Sequence, residues 1–167
     1  LETGHTYPED ITELDCDDSN IRSAAEVKYF ENLRKLSLGD NHLEDLVLSE
    51  SPELRQLNLS DNQLNSLDLS ENHELREVRL SHNEISTLTL PEAKRLEKLV
   101  LTDNELETLN VSQLPKLRAL FAADNELTEL DLSLNPALSE LNVRNNALKA
   151  LDLSHNKKLS QLLEQGN

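Results

Sequence analysis

From Leu33 to Lys158 the chain divides into six consecutive blocks of 21 residues, beginning at Leu33, Leu54, Leu75, Leu96, Leu117 and Leu138, with no insertion or deletion. The block from Leu54 reads LRQLNLSDNQLNSLDLSENHE. Block positions 1, 4, 6, 11, 14 and 16 are apolar in all six, and 31 of these 36 residues are Leu; Val78, Ile85, Val111, Ala122 and Val143 are the exceptions. Position 9 is always Asn: Asn41, Asn62, Asn83, Asn104, Asn125 and Asn146. The frame also accepts residues 11–21, with Ile11, Leu14, Cys16 and Ile21 in apolar columns and Ser19 in the Asn column, and it resumes at Leu159 to end on Asn167. A composition of 29% charged and 2% aromatic residues, with a net charge of −16, would by itself suggest disorder. The order of the residues overrides that. A fixed period of this length means stacked units that share one core.

The period also dictates the shape of a unit. In L-x-L the two Leu face one side of an extended segment and the residue between faces the other. Twenty-one residues are too few for a strand, a full helix and two turns, so each block predicts one coil of two short extended segments. Coils then stack at roughly 4.8 Å, the strand spacing, because none can bury its Leu set alone. The invariant Asn falls where the chain leaves the first segment. Its amide both donates and accepts, so it suits backbone groups of adjacent coils that a buried turn would orphan.

Each block holds a ten-residue unit, L-x-x-L-x-L-x-x-N-x, followed by an eleven-residue unit, L-x-x-L-x-L-S-x-x-x-x. This pattern resembles the leucine-rich repeat, in a bacterial form with a nested period, and the opening ITELDCDDSNIRSAAEVKYFENLRKL resembles that of internalin-type repeat proteins. It departs from bacterial effector ligases, whose blocks carry L-P-x-L-P, and from the long animal repeats with a helix in each block. The resemblance implies a leucine-rich-repeat solenoid of the α/β horseshoe class, mostly β. A parallel sheet on the first-strand face and short strands or extended segments opposite are expected. It also implies a non-enzymatic protein-binding module, secreted or on the cell surface, with a cytoplasmic location left open.

A single domain is expected: residues 1–32 as cap and first atypical repeat, 33–158 as six repeats, and 159–167 as a partial last repeat. Residues 1–10 are expected to cover the first coil. In the segment 23–32, SAAEVKYFEN, the spacing predicts a short helix over the open core, with the aromatics Tyr29 and Phe30 as its plug. At the other end Leu163 and Glu164 invert the polar–apolar order. That coil reads as uncapped, which opens a route to a homodimer through it. A chain opening on Leu1 reads as processed or excised.

With the core columns fixed, function must be written on the variable ones. Positions 2, 3, 5, 7 and 8 carry eight cations and seven acids, a nearly neutral +1. The second-unit columns carry thirteen acids against Lys149, or −12, and residues 1–32 carry nine acids against Arg22 and Lys28, or −7. One feature breaks the polar first-strand face: Val100 and Phe121 occupy consecutive turns of position 5, with Ala119 and Ala123 beside Phe121. An aromatic among small residues, rimmed by Arg79, Arg118 and Arg144, has the makeup of an interface hot spot. The candidate partner-binding set is therefore Arg79, Val100, Arg118, Phe121, Ala123 and Arg144. The competing reading folds Phe121 over space left by the small Ala122, or leaves it a scattered surface residue. A second functional reading has the acidic face capture a basic protein.

Other chemistries find little support. Arginines at position 2 and acids at position 8 read as surface ion pairs, each contributing roughly 0–1 kcal/mol. The Asp-Asn pairs lack the Gly-rich loop that wraps Ca²⁺. His5, His42, His73, His82 and His155 show no metal-ligand spacing, and no nucleophile motif is present, so neither metal, cofactor nor catalytic residue is expected. Cys16, in a Leu column, reads as a buried, inert thiol. So acidic a chain is a poor match for nucleic acid, and no run of 18 apolar residues is available for membrane insertion.

Overall fold

The computed structural model describes residues 7–167. Each block contributes one three-residue strand to a front sheet at positions 3 to 5: β1 (Glu13–Asp15), β2 (Lys35–Ser37), β3 (Gln56–Asn58), β5 (Glu77–Arg79), β7 (Lys98–Val100), β8 (Ala119–Phe121), β9 (Glu140–Asn142) and β10 (Gln161–Leu163). These eight strands lie parallel, in chain order, with no slip in register: Leu36 beside Leu57, Leu57 beside Val78, and so on to Leu141 beside Leu162. The back is less regular. Among the described residues only β4 (Ser66–Asp68) and β6 (Thr87–Thr89) pair there, and the other second units form no sheet. The molecule is a parallel-sheet solenoid of about seven turns with almost no helix.

A one-sided sheet needs its alternate residues buried, and position 4 of every block from Leu36 to Leu141 is buried. One continuous core runs from Val27 to Leu148. Position 14 is its weak flank, where Leu46, Leu88, Leu109 and Leu151 are only partly covered.

The Asn column forms the expected ladder. Asn104 Nδ2 donates to Leu80 O of the preceding coil at 2.9 Å and to Leu101 O of its own at 3.1 Å, while Ile85 N–H donates to its Oδ1 at 3.0 Å. A second ladder, at position 19, has no counterpart in the sequence reading. Asn72 Nδ2 donates to Leu48 O and Ser51 O of the preceding coil, Asn135 Nδ2 likewise to Val111 O and Leu114 O, and Asn156 Nδ2 to Leu132 O and Asn135 O.

Three expectations need correction. Position 8 does not pair with the arginines. Asp40, Asp61, His82, Asp103, Asp124 and Asn145 all adopt φ between +51° and +59°. Asp and Asn tolerate this left-handed region better than other side-chain-bearing residues, so the column is a backbone requirement of the turn. The arginines pair elsewhere, Arg34 with Glu53 at 3.0 Å and Arg118 with Glu97 at 3.9 Å. The cap is a five-residue 3₁₀ helix, Ala25–Tyr29, whose buried residue is Val27; Phe30 is half-buried against the core but Tyr29 is 58% exposed. Successive residues on a 3₁₀ helix point about 120° apart, so adjacent aromatics cannot both turn inward. Cys16 is a free thiol only half-buried, packed against the end of the core in the first described coil. Residues 7–10 are an exposed 3₁₀ turn tethered by Asn32 Nδ2 donating to Glu9 O; the rest of the expected N-terminal cover, 1–6, lies outside the described residues.

Part of the acidic back also has a local explanation. Ser70, Ser133 and Ser154 N–H groups donate to Asp68, Asp131 and Asp152 Oδ1 at 2.8–2.9 Å, closing the turn after each second unit. These bonds hold all three carboxyls below the usual aspartate value. A depressed folded-state pKa adds stability that is present above the unfolded value, about 3.9, and lost as pH falls through the folded one. Asn110 makes the same bond to Ser112 N–H at 3.0 Å without titrating. The triple variant Asp68→Asn, Asp131→Asn, Asp152→Asn is expected to unfold normally at pH 7 and to lose less stability than the parent below about pH 4. Parallel acid limbs in pH-dependent thermal melts would refute this assignment.

Candidate functional site

The front sheet displays positions 3 and 5 of each strand, since position 4 points into the core. Along position 5 the register sets Arg79 beside Val100, Val100 beside Phe121, Phe121 beside Asn142 and Asn142 beside Leu163. Val100 and Phe121 are both half-buried, and the core column beside Phe121 is held by Ala122, fully buried. Phe121 therefore occupies the front face. Asn142 interrupts the apolar line, and Leu163, 43% exposed, resumes it at the last strand. Leu163 belongs to position 5 and Glu164 to core position 6, so both halves of the inversion stand, and both residues are exposed.

The structure brings the other candidates together unequally. Ala119 and Ala123 are 8% and 3% exposed, so neither offers much surface; Ala123 is corrected from a contact residue to a buried flank of Phe121's coil. Arg79 is exposed yet held within its own strand, its Nη2 2.6 Å from Glu77 Oε1. Lys98 Nζ reaches the same oxygen at 3.5 Å. Burial raises the Glu77 pKa, but the Arg79 hydrogen bond and charge, with Lys98, outweigh it and leave the carboxyl below its ordinary value. Arg118 precedes β8 and Arg144 follows β9, both exposed. The rim arginines thus mark three sides of the Val100–Phe121 pair.

Sequence reasoning missed a polar hollow of about 300 Å³ lower on the same face. Asp17 closes its first-coil end: Oδ1 accepts from Gly39 N–H at 2.6 Å, and Oδ2 accepts from Ser37 Oγ at 3.0 Å. Asn58 Nδ2 donates to Ser37 Oγ at 3.0 Å. A Cβ at Gly39 would lie 2.8 Å from Asn58 Nδ2, so a larger residue there would displace the Asn58 amide from the hollow. The only signal in the sequence was the single Gly at position 7. Among the described residues no group of His, Cys, Asp and Glu could hold a metal, and no helix is long and apolar enough to cross a membrane.

Residues 10–147 match the family described as FBD-associated F-box protein At5g56370, LRR repeats. The chain belongs to the leucine-rich-repeat family. Its repeats superimpose on the LRR protein LIC12759 of Leptospira interrogans with a TM-score of 0.84 at 29% identity, over 95% of this chain and 44% of that one. YopM, a leucine-rich effector protein from Yersinia pestis, gives 0.77 at 25% identity, over 93% and 49%. Internalin C2 from Listeria monocytogenes gives 0.65 at 22% identity, over 93% and 82%, a likeness of fold alone. The chain thus spans less than half the length of the first two. No curated protein matches it by sequence. Leucine-rich-repeat folds generally serve as protein-binding scaffolds, typically without catalysis of their own.

Proposed function

We propose that this solenoid is a protein-binding module whose front sheet docks a partner on the apolar pair Val100–Phe121. One observation carries the reading: two half-buried apolar side chains sit on adjacent strands of an otherwise polar face, beside alanines too short to cover them. A partner side chain placed there would exclude water from Phe121 at little conformational cost, since its own coil already restrains the ring. Arg118 and Arg144 stand free of short ion pairs at the margin and supply charged contacts; Arg79 is available only in competition with Glu77. The internalin-like opening and the bacterial relatives in structure favour a secreted or surface setting.

The acidic back gives the second reading. A groove of about 560 Å³ there is lined by Leu109, Leu130, Glu129, Asp131 and Asp152, chemistry that would suit a basic segment. The two readings separate by photo-crosslinking in extract of the source organism, with probes at Asn142 on the front, Glu129 in the acidic groove and Thr89 as a back-face control. The expected result is an adduct from Asn142 alone, reduced roughly tenfold by Phe121→Ala, with an unfolding temperature close to the parent's. An adduct from Glu129 alone, weakening steeply with salt, transfers the site to the acidic groove. A strongly lowered unfolding temperature in Phe121→Ala makes Phe121 core and removes it from the site.

A further inference from the structure

On a chain with a net charge of −16, one edge of the solenoid is cationic. It is formed by block positions 20, 21 and 2, where the chain turns into each front strand. In the first repeats Arg34, Arg55 and Arg76 share this edge with Glu53 and Glu74, which pair with Arg34 at 3.0 Å and with Arg95 at 2.6 Å. Beyond Glu74 the edge keeps a single acid. Lys94, Lys116, Arg118, Lys157 and Lys158 follow, opposed on the edge by Glu97 alone. Glu97 reaches Arg118 only at 3.9 Å, and the four lysines make no ion pair among the described residues.

The cations also frame a space. A shallow trough of about 450 Å³ is lined by Lys116 and Arg118, with Glu97 beside them, on one side and Lys158 on the other, and by the short side chains of Ala137 and Ser139 between. Lys116 and Lys158 stand two coils apart, roughly 10 Å at the usual strand spacing. Ser139 Oγ is committed to Arg118 O at 3.0 Å, so the trough's polar character comes from the cations. Position 2 of each block immediately precedes its front strand, so Arg118 in the trough wall is three residues from Phe121.

We infer that this trough docks an acidic peptide stretch of the partner protein, one that continues from the segment seated on Val100–Phe121 over the edge of the sheet. This rests on the front-sheet reading and names the partner's chemistry: an apolar anchor followed within a few residues by two or three carboxylates. Charge complementarity selects the sign of the ligand, and the extent of the patch selects its length. A long polyanion gains by neutralising many charges in a row. Here the row is interrupted by Glu97, Glu74 and Glu53, whereas a short acidic stretch across the trough meets Lys116, Arg118 and Lys158 with Glu97 as the one acid beside it. Unpaired lysines also hold their counter-charge loosely, so a peptide need break only the weak Arg118–Glu97 contact to bind.

The test uses amide-resolved NMR of the full chain with hexaglutamate as probe and hexalysine as control. Hexaglutamate is expected to shift the amides of Lys116, Ala137, Ser139 and Lys158, with affinity falling about tenfold or more between 20 and 200 mM salt. The double variant Lys116→Glu, Lys158→Glu should lose these shifts, keep its unfolding temperature, and lower the Asn142 crosslink about as much as Phe121→Ala does. Absence of shifts at the trough, or equal shifts in the double variant, overturns the assignment. So does a heparin fragment binding there far more tightly than hexaglutamate, or salt-sensitive self-association abolished by the double variant. If the double variant leaves the Asn142 adduct intact while Phe121→Ala removes it, the trough falls and the front-sheet reading stands. If hexaglutamate binds at the trough while Asn142 yields no adduct, the front-sheet reading falls, and with it the partner assignment.

Discussion

Replacing Asn104 by Ala is expected to destabilise the solenoid by about 3 kcal/mol, or on the order of 10 °C in thermal midpoint, while Asn65→Ala stays within about 0.5 kcal/mol of the parent. Asn65 is exposed and its side chain makes no hydrogen bond. Asn104 is 8% exposed and bridges two coils through Leu80 O, Leu101 O and Ile85 N–H. Removing it is unequal in its effects. Leu80 O keeps Asn83 Nδ2 at 3.2 Å, and Leu101 O keeps Asn125 Nδ2 at 2.9 Å. Ile85 N–H has no other partner in its surroundings and is fully buried, so it becomes the orphan that sets most of the cost. Asn104→Asp separates donor from acceptor. It restores an oxygen for Ile85 N–H but places a carboxylate where an amide donated to two carbonyls, and is expected to be at least as damaging as Ala. Because each coil is stabilised chiefly by its neighbours, a break at the fourth of six repeats weakens stacking in both directions. An Asn104→Ala variant melting with Asn65→Ala would show that the stacked leucines alone hold the coils in place.

The strand register and the first Asn ladder were legible because each rests on a column filled the same way in every block. Repetition converts a weak local propensity into a strong statement about burial. What escaped was encoded by residue type within a column that varies. Asp40, Asp61, His82, Asp103, Asp124 and Asn145 look like a charge column, yet their shared property is tolerance of positive φ, and His and Asn fit that property while breaking the charge pattern. Asp68, Asn110, Asp131 and Asp152 likewise share a side-chain acceptor for the N–H two residues on, not a charge. The second Asn ladder was hidden because position 19 holds Ser51, Ala93 and Leu114 in the other blocks. It leaves Asn72, Asn135 and Asn156 Oδ1 buried with no partner, a cost that a sequence column cannot display. At the candidate site, alternation placed Phe121 on the front correctly. It could not show that Ala123, at the exit of the same strand, is covered.

That alternation yields the sharpest separation of stability from binding, between two residues joined by one peptide bond. Leu99 is fully buried in the middle of the core, and Val100 is half-buried on the front sheet beside Phe121. Leu99→Ala removes buried carbon atoms from a stack closed on both sides by Val78 and Leu120, whose strands fix the backbone and limit collapse of the cavity. The expected cost is about 2–5 kcal/mol, with the upper half favoured by this constraint. Binding, measured by the Asn142 crosslink at a temperature where the variant remains folded, should be little changed. Val100→Ala removes atoms that are already partly solvated, so its stability cost should stay below about 1.5 kcal/mol, while the crosslink falls. The ordering, not either value alone, is the result that matters. If Val100→Ala destabilises as much as Leu99→Ala, the front pair is packed into the fold and has no area left to offer a partner. If both variants keep the crosslink, the docking surface lies elsewhere on the sheet, and the polar hollow around Asp17 becomes the next place to probe.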